Sequence, residues 1–201
     1  VTIPECAYGI DDRLSEFESL EHVKFPDSLT VIGARAFFGC RRLKDVDLPP
    51  SLTSIDINAF HGCASLRFVE VPESVVNIDD YAFSACECLG FITLPDGLIN
   101  LGSAVFEGCA SLTCANLPGS IEVVPSKLFR QCISMASVTL HDNICHIEAE
   151  AFFNCHRLVS VVFPTSLRSI GYKAFYGCRT LKDIRLPDSL THIADSVFEE
   201  C

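Results

Sequence analysis

Eight cysteines recur with one unvarying period of 23: Cys40, Cys63, Cys86, Cys109, Cys132, Cys155, Cys178 and Cys201. A period of about 20 to 50 residues is the mark of a solenoid or array. Each unit has too few apolar residues for a core of its own and must stack on its neighbours. Eight units of 23 fill residues 18 to 201 without insertion or deletion. A cysteine repeated in this way is either a repeated chemical site or one position of a repeated packing unit.

Other columns keep the same register. A phenylalanine stands three residues before every cysteine, from Phe37 to Phe198. Three residues after the cysteines come Leu43, Leu66, Leu89, Leu112, Met135, Leu158 and Leu181. Six after come Val46, Val69, Ile92, Ala115, Val138, Val161 and Ile184. With Leu48 and its equivalents eight after, the piece LKDVDL at 43 to 48 is an L-x-x-L-x-L strand segment. Proline follows it at 49, 72, 95, 118, 164 and 187, with His141 the one departure. Proline has no N–H to give a ladder and belongs where a strand ends. Turn formers come next, as in PDS at 187 to 189. Ser51, Ser74, Ser120, Asn143, Ser166 and Ser189 share a column there, where a short side chain is expected to bond the turn's own backbone. A second apolar pair, Leu52 and Ile55 in that unit, precedes the AF turn that closes the coil.

The consensus L-x-x-V-x-L-P-x-S-L-x-x-I-x-x-x-A-F-x-G-C resembles the BspA-like class of leucine-rich repeats over residues 18 to 201. It departs from that pattern mainly at Gln131, Met135 and His141. The pattern predicts an α/β repeat solenoid: a leucine-rich-repeat array with a parallel β-sheet on one face and short strands or helical turns on the other. At about 4.8 Å between stacked strands, eight coils span roughly 40 Å. Residues 1 to 17 break the register, since VTIP aligns with VKFP at 23 to 26 one residue short. They are either a degenerate first repeat or an N-terminal cap. The resemblance implies a surface or secreted protein, of bacterial or single-celled eukaryotic type, that binds extracellular-matrix or cell-surface proteins. It carries no catalytic residues.

The cysteine column reads as core. Stacked α-carbons about 4.8 Å apart fall inside the disulfide range of roughly 4.4–6.8 Å, but equal positions in stacked coils aim their β-carbons in parallel, and a bridge needs them converging. A single file of parallel thiols cannot close a zinc tetrahedron, and no C-x-x-C pair occurs. Reduced cysteines packed as small hydrophobes beside the phenylalanines are expected. Cys6, Cys88, Cys114 and Cys145 lie off the register and read as scattered free thiols.

Composition narrows the partners. The chain is 49% hydrophobic, enough for a well-buried body, and its formal net charge is −11. Neutralising phosphates takes clustered Lys and Arg, so nucleic acid is not an expected partner. No apolar run approaches the roughly 20 residues of a membrane span, so this segment is not expected to insert. The first residues lack the basic start and apolar centre of a signal peptide. The chain begins at Val1 and stops at Cys201 in mid-pattern, and so reads as a piece of something longer. Motifs for a hydrolase serine elbow, a zinc protease, a P-loop or a dinucleotide fold are absent. The six histidines occupy different repeat positions, and carboxylates such as Asp79 and Asp80 are expected as solvated charges on a turn. Neither an enzyme nor a cofactor or metal site is expected.

In a solenoid the informative residues are those the repeat does not dictate. Positions five and seven after each cysteine alternate out of the core onto the sheet face. The first column is His22, Asp45, Phe68, Phe91, Cys114, Ser137, Ser160 and Asp183; the second is Lys24, Asp47, Glu70, Thr93, Asn116, Thr139, Val162 and Arg185. Charges occupy both ends, and the four middle coils carry none. Phe68 and Phe91 are placed to stack on adjacent strands, and exposed aromatics beside uncharged polar groups are the composition of an interface core. Phe68, Phe91, Thr93, Cys114, Asn116, Ser137, Thr139 and Val162 are therefore the candidate contacts for a protein ligand, of host-surface or extracellular-matrix type by the resemblance. The alternatives are a spacer array or a sensor domain of a larger protein.

Overall fold

The computed structural model describes residues 1–11, 15, 17–182 and 184–201. The chain winds into stacked coils with very short strands, all paired in parallel. In chain order these are β1 (Gly9–Ile10), β2 (His22–Val23), β3 (Val31–Ile32), β4 (Asp45–Val46), β5 (Ser54–Ile55), β6 (Phe68–Glu70), β7 (Asn77–Ile78) and β8 (Phe91–Thr93). Then follow β9 (Asn100–Leu101), β10 (Cys114–Asn116), β11 (Val123–Val124), β12 (Ser137–Thr139), β13 (His146–Ile147), β14 (Ser169–Ile170) and β15 (His192–Ile193). The L-x-x-L-x-L segments supply β2, β4, β6, β8, β10 and β12, and the remaining strands come from the second apolar pair of each coil. At the N-terminus Gly9 and Ile10 pair with Val31 and Ile32, one place short of the regular period, and Thr2 bridges Lys24.

Neither sheet is continuous. The L-x-x-L-x-L strands bond only in the pairs β2–β4, β6–β8 and β10–β12, and residues 160–162 form no strand. The second sheet runs β1-β3-β5-β7-β9 and then resumes as β11-β13-β14-β15. Both sheets therefore break between the coil of residues 87–109 and that of 110–132. On the second sheet the cause is one residue. At that position Gly33, Asp56, Asp79, Gly102, Glu148, Gly171 and Ala194 each donate N–H to the preceding coil at 2.7–2.9 Å. The eighth occupant is Pro125, which has no N–H to give.

Of the short strands or helical turns expected opposite the L-x-x-L-x-L sheet, the short strands occur; no helix is found among the described residues, so the array is a parallel β-solenoid and not the α/β one expected. Each AF segment is instead a run of tight turns interrupted twice by left-handed backbone. Arg35, Asn58, Tyr81, Ala104, Lys127, Glu150, Lys173 and Ser196 have φ of 53–59°. Gly39, Gly62, Ala85, Gly108, Gln131, Asn154, Gly177 and Glu200, one residue before each cysteine, have φ of 56–73°. A right-handed helix cannot pass through such residues. The reward is a third ladder. Ala36, Phe38 and Cys40 bond back to carbonyls three residues earlier, whereas Arg35, Phe37 and Gly39 donate forward to Ile57, Ala59 and His61 of the next coil at 2.7–3.0 Å. The same alternation runs across the break in the sheets, through Ala104, Phe106 and Gly108 to Ser126, Leu128 and Arg130.

The core is the phenylalanine file. Phe37 to Phe175 are fully buried, and successive rings lie 4.9–6.1 Å apart within 22° of parallel. All twelve cysteines are free thiols, and seven of the eight in register are buried. The eighth, Cys201, is exposed. The buried thiols are more than small hydrophobes. From Cys63 to Cys178 each donates its S–H to the carbonyl of a phenylalanine in the preceding coil, at 3.1–3.2 Å. That carbonyl also accepts the N–H of its own coil's cysteine, so both lone pairs are used.

Two expectations about surface polar groups are corrected. The serine column does not bond its own turn. Ser51, Ser74, Ser120, Ser166 and Ser189 donate to Leu29, Leu52, Leu98, Ile144 and Leu167 of the preceding coil at 2.6–2.7 Å, and Asn143 reaches Gly119 likewise. Asp79 and Asp80 are half-buried rather than solvated. The Asp79 carboxylate accepts the Asp80 N–H, and that of Asp80 accepts the N–H of Ser103 in the next coil at 2.7 Å. In both cases a short oxygen-bearing side chain sits within reach of a neighbouring coil that a local reading of the sequence leaves out.

Three outcomes follow from this packing. Phe106→Ala should cost about 3–5 kcal/mol in urea unfolding, the range for a buried phenylalanine, and a cost below about 1 kcal/mol would contradict the stacking. Gln131→Gly should stabilise by about 1 kcal/mol, because it relieves a left-handed side chain without removing the N–H bond to Phe153. Burial pushes the thiol of Cys40 up to about 11 and those of Cys109 and Cys178 up to about 12, from an ordinary 9.0. A folded pKa above the unfolded one means stability that is complete below pH 9 and lost as pH rises toward 12. The urea midpoint should therefore be level to about pH 8.5 and fall above it, with the seven buried thiols silent to a thiol reagent at pH 8 until the chain unfolds.

Candidate docking face

Strand alternation turns Val69, Ile92, Ala115 and Val138 into the core and their neighbours outward. The register sets Phe68 beside Phe91, Glu70 beside Thr93, Cys114 beside Ser137 and Asn116 beside Thr139. The rings of Phe68 and Phe91 are 5.9 Å apart and 3° from parallel, and 46% and 45% exposed. Two phenylalanines held half in water on one sheet are costly surface for a monomer to keep. Val162 is 81% exposed but belongs to a segment without strand pairing, and Asp183 lies outside the described residues. The strip thus falls into two bonded pairs, Phe68 with Phe91 and Cys114–Asn116 with Ser137–Thr139, set side by side across the break.

The break is visible as a groove. Phe91, Thr93, Cys114, Asn116, Ser137 and Thr139 line a cavity of about 430 Å³ over Ile92 and Ala115. The backbone bond that still crosses there, from the Thr113 N–H to the Gly90 carbonyl, is long at 3.4 Å. Thr93 Oγ1 is buried without a hydrogen-bond partner. Toward the N-terminus the face becomes charged: His22 Nδ1 lies 2.9 Å from Asp45 Oδ1, and the Lys44 ammonium, 2.6 Å from Glu21, holds that carboxyl below its usual range. Among the described residues no group of three or more His, Cys, Asp or Glu is placed to hold a metal ion, and no helix is long and apolar enough to cross a membrane.

One side-chain ladder was not legible in the columns chosen above. It runs along the turn edge, two residues before each cysteine. Arg35 lies 4.5 Å over Phe38, which stacks on His61 at 4.9 Å. Farther on, Arg130 bonds Glu107 at 2.6 Å and Glu150 at 2.9 Å and lies over Phe153, which stacks on Tyr176. The Tyr176 hydroxyl donates to Glu200, and Lys173 lies 4.9 Å over the Tyr176 ring. Burial pushes the His61 imidazole below its usual value, and its Nδ1 has no partner. Reading the column Phe38, His61, Ser84, Glu107, Arg130, Phe153, Tyr176 down the repeats would have found this edge. Its groups are largely occupied with one another.

Comparison with known proteins agrees with this architecture. A model of the BspA type leucine-rich repeat region matches residues 10–136 and 122–201 in 6 copies. No curated protein matches the chain. Among solved structures, the leucine-rich repeat protein of T. pallidum is 30% identical, with a TM-score of 0.73 over 79% of this chain and 77% of that one. A leucine-rich repeat protein from Bacteroides ovatus is 26% identical, with a TM-score of 0.53 over 100% and 76% of the two chains. One from Eubacterium ventriosum, 19% identical, shares the fold at a TM-score of 0.66 over 100% of this chain and 64% of that one. The chain belongs to the BspA type leucine-rich repeat family.

Proposed function

We propose that this array is a protein-interaction module that docks a protein partner on the outward side of its L-x-x-L-x-L sheet, in the manner of an adhesin or recognition domain. The observation that carries the reading is the parallel, half-exposed pair Phe68 and Phe91 beside an uncharged groove. Leucine-rich-repeat arrays generally serve as protein-interaction scaffolds, and aromatic anchors bordered by neutral polar groups are where binding energy concentrates. The contacts are Phe68, Phe91, Thr93, Cys114, Asn116, Ser137 and Thr139, with Val162 at the far margin. A host-surface or extracellular-matrix protein fits the family, with the array displayed at the cell surface or secreted.

The test is capture of a binder from host-surface or matrix extracts, followed by affinity measurement with purified components. Phe91→Ala should weaken the complex by about 1–3 kcal/mol while leaving the unfolding midpoint in place. Ser137→Arg should also weaken it, by placing an unpaired charge in the contact. Arg168→Ala, an exposed residue near β14, is the control; Lys173 is unsuitable because it packs on Tyr176. Affinity should change little between low and physiological salt, since few opposed charges meet on the strip. Equal affinity in all three variants would turn the reading toward a spacer array.

A further inference from the structure

The groove between the coils of residues 87–109 and 110–132 has a chemistry more specific than that of an apolar slot. Phe91 and Leu94 give it apolar walls over Ile92 and Ala115, and its other lining residues are Thr93, Asn116, Ser137, Thr139 and Cys114. None of these carries a charge. A volume of about 430 Å³ lies inside the range of small-ligand sites, roughly 300–1,000 Å³.

We infer that the groove takes a neutral sugar ring, a hexose unit of a glycan carried by the partner. This rests on the sheet face being the docking face and narrows what is read there. A pyranose has an apolar face of C–H groups and an equatorial belt of hydroxyls that both donate and accept. Phe91 matches the first, and one amide with three hydroxyls matches the second. A purely apolar side chain in the same place would dry those polar groups without pairing them, at a cost for each. An ionic side chain would meet no counter-charge.

Charge selects among sugars. The charges that border the face beyond Phe91 are Glu70, beside Thr93 in register, then Asp45 and Asp47, against Arg67 and a Lys44 already paired with Glu21, and the chain as a whole carries −11. Sialylated or sulfated glycans would approach against that field, so the neutral ring is favoured. Thr93 Oγ1 adds an independent indication: it is buried and unpaired on the groove wall. A ligand hydroxyl that reached it would supply the bond that no protein group makes.

The experiment titrates the full chain with galactose-, glucose- and mannose-terminated oligosaccharides and with a sialylated counterpart, followed by saturation-transfer NMR. At least one neutral sugar should bind and the sialylated form should bind more weakly. Phe91→Ala should reduce the affinity roughly ten-fold or more. Thr93→Val is the sharper probe. Removing an unpaired buried hydroxyl should raise the unfolding midpoint, yet sugar affinity should drop roughly three- to ten-fold. Binding of no neutral sugar, preference for the sialylated one, or sugar binding untouched by both substitutions would overturn the inference. A protein partner that is enzymatically deglycosylated separates the two readings. If it still binds, and still loses affinity with Phe91→Ala, the sugar inference falls and the docking face stands. If neither the intact nor the deglycosylated partner responds to Phe91→Ala, both fall.

Discussion

Everything in this molecule depends on the alternation of N–H groups in the turn around each phenylalanine. One N–H in two closes a local turn, and the next reaches the following coil. Only left-handed backbone at two places per coil allows both. At one of them glycine is common, and at the other every occupant carries a side chain. Single left-handed residues of that kind cost of order 1 kcal/mol each. The cost is offset because the forward bond of each phenylalanine, such as Phe37 to Ala59, is made between buried residues, where an unpaired N–H would cost more. The in-register thiols from Cys63 onward belong to the same arrangement, since each takes the remaining lone pair of a phenylalanine carbonyl.

The turn ladder also explains how the array tolerates broken sheets. Strands of two or three residues contribute few bonds each, and three gaps interrupt the L-x-x-L-x-L sheet and its mate. Across the gap at Pro125 the coils stay together through Ala104, Phe106 and Gly108, the thiol of Cys132, the hydroxyl of Ser120 and the Arg130–Glu107 pair. A solenoid held along its turn edge can let its sheets part locally without losing the stack. That freedom places a groove in the middle of the array.

The proposed docking strip draws its character from this. Phe68 and Phe91 belong to one bonded strand pair, and the small neutral residues from Cys114 to Thr139 belong to the next. The step between them is where a bulky ring gives way to a thiol and a hydroxyl. On a continuous flat sheet the same residues would form a surface without depth. The aromatic and ionic edge two residues before each cysteine is the opposite case, with groups such as Arg130 and Tyr176 already paired to neighbours in adjacent coils.

The sequence by itself determined the stacking period, the file of phenylalanines, the burial of Phe106 and Cys109, and which residues of each strand face outward. Those properties recur in every coil or alternate along every strand, and a period is visible in one dimension. The tertiary structure alone decided where the bonds between coils go. Ser51 reads as a turn residue but bonds Leu29, Asp80 reads as solvated but accepts from Ser103, and Cys63 reads as a hydrophobe but donates to Phe37. Pro125 looks like one more turn proline until its position shows that seven equivalents donate an N–H there. Each of these depends on an atom a full coil away along the chain. A column of identical letters tells which positions are neighbours, but hydrogen bonds are directional, and only the packed coils set which atom of the neighbour is met.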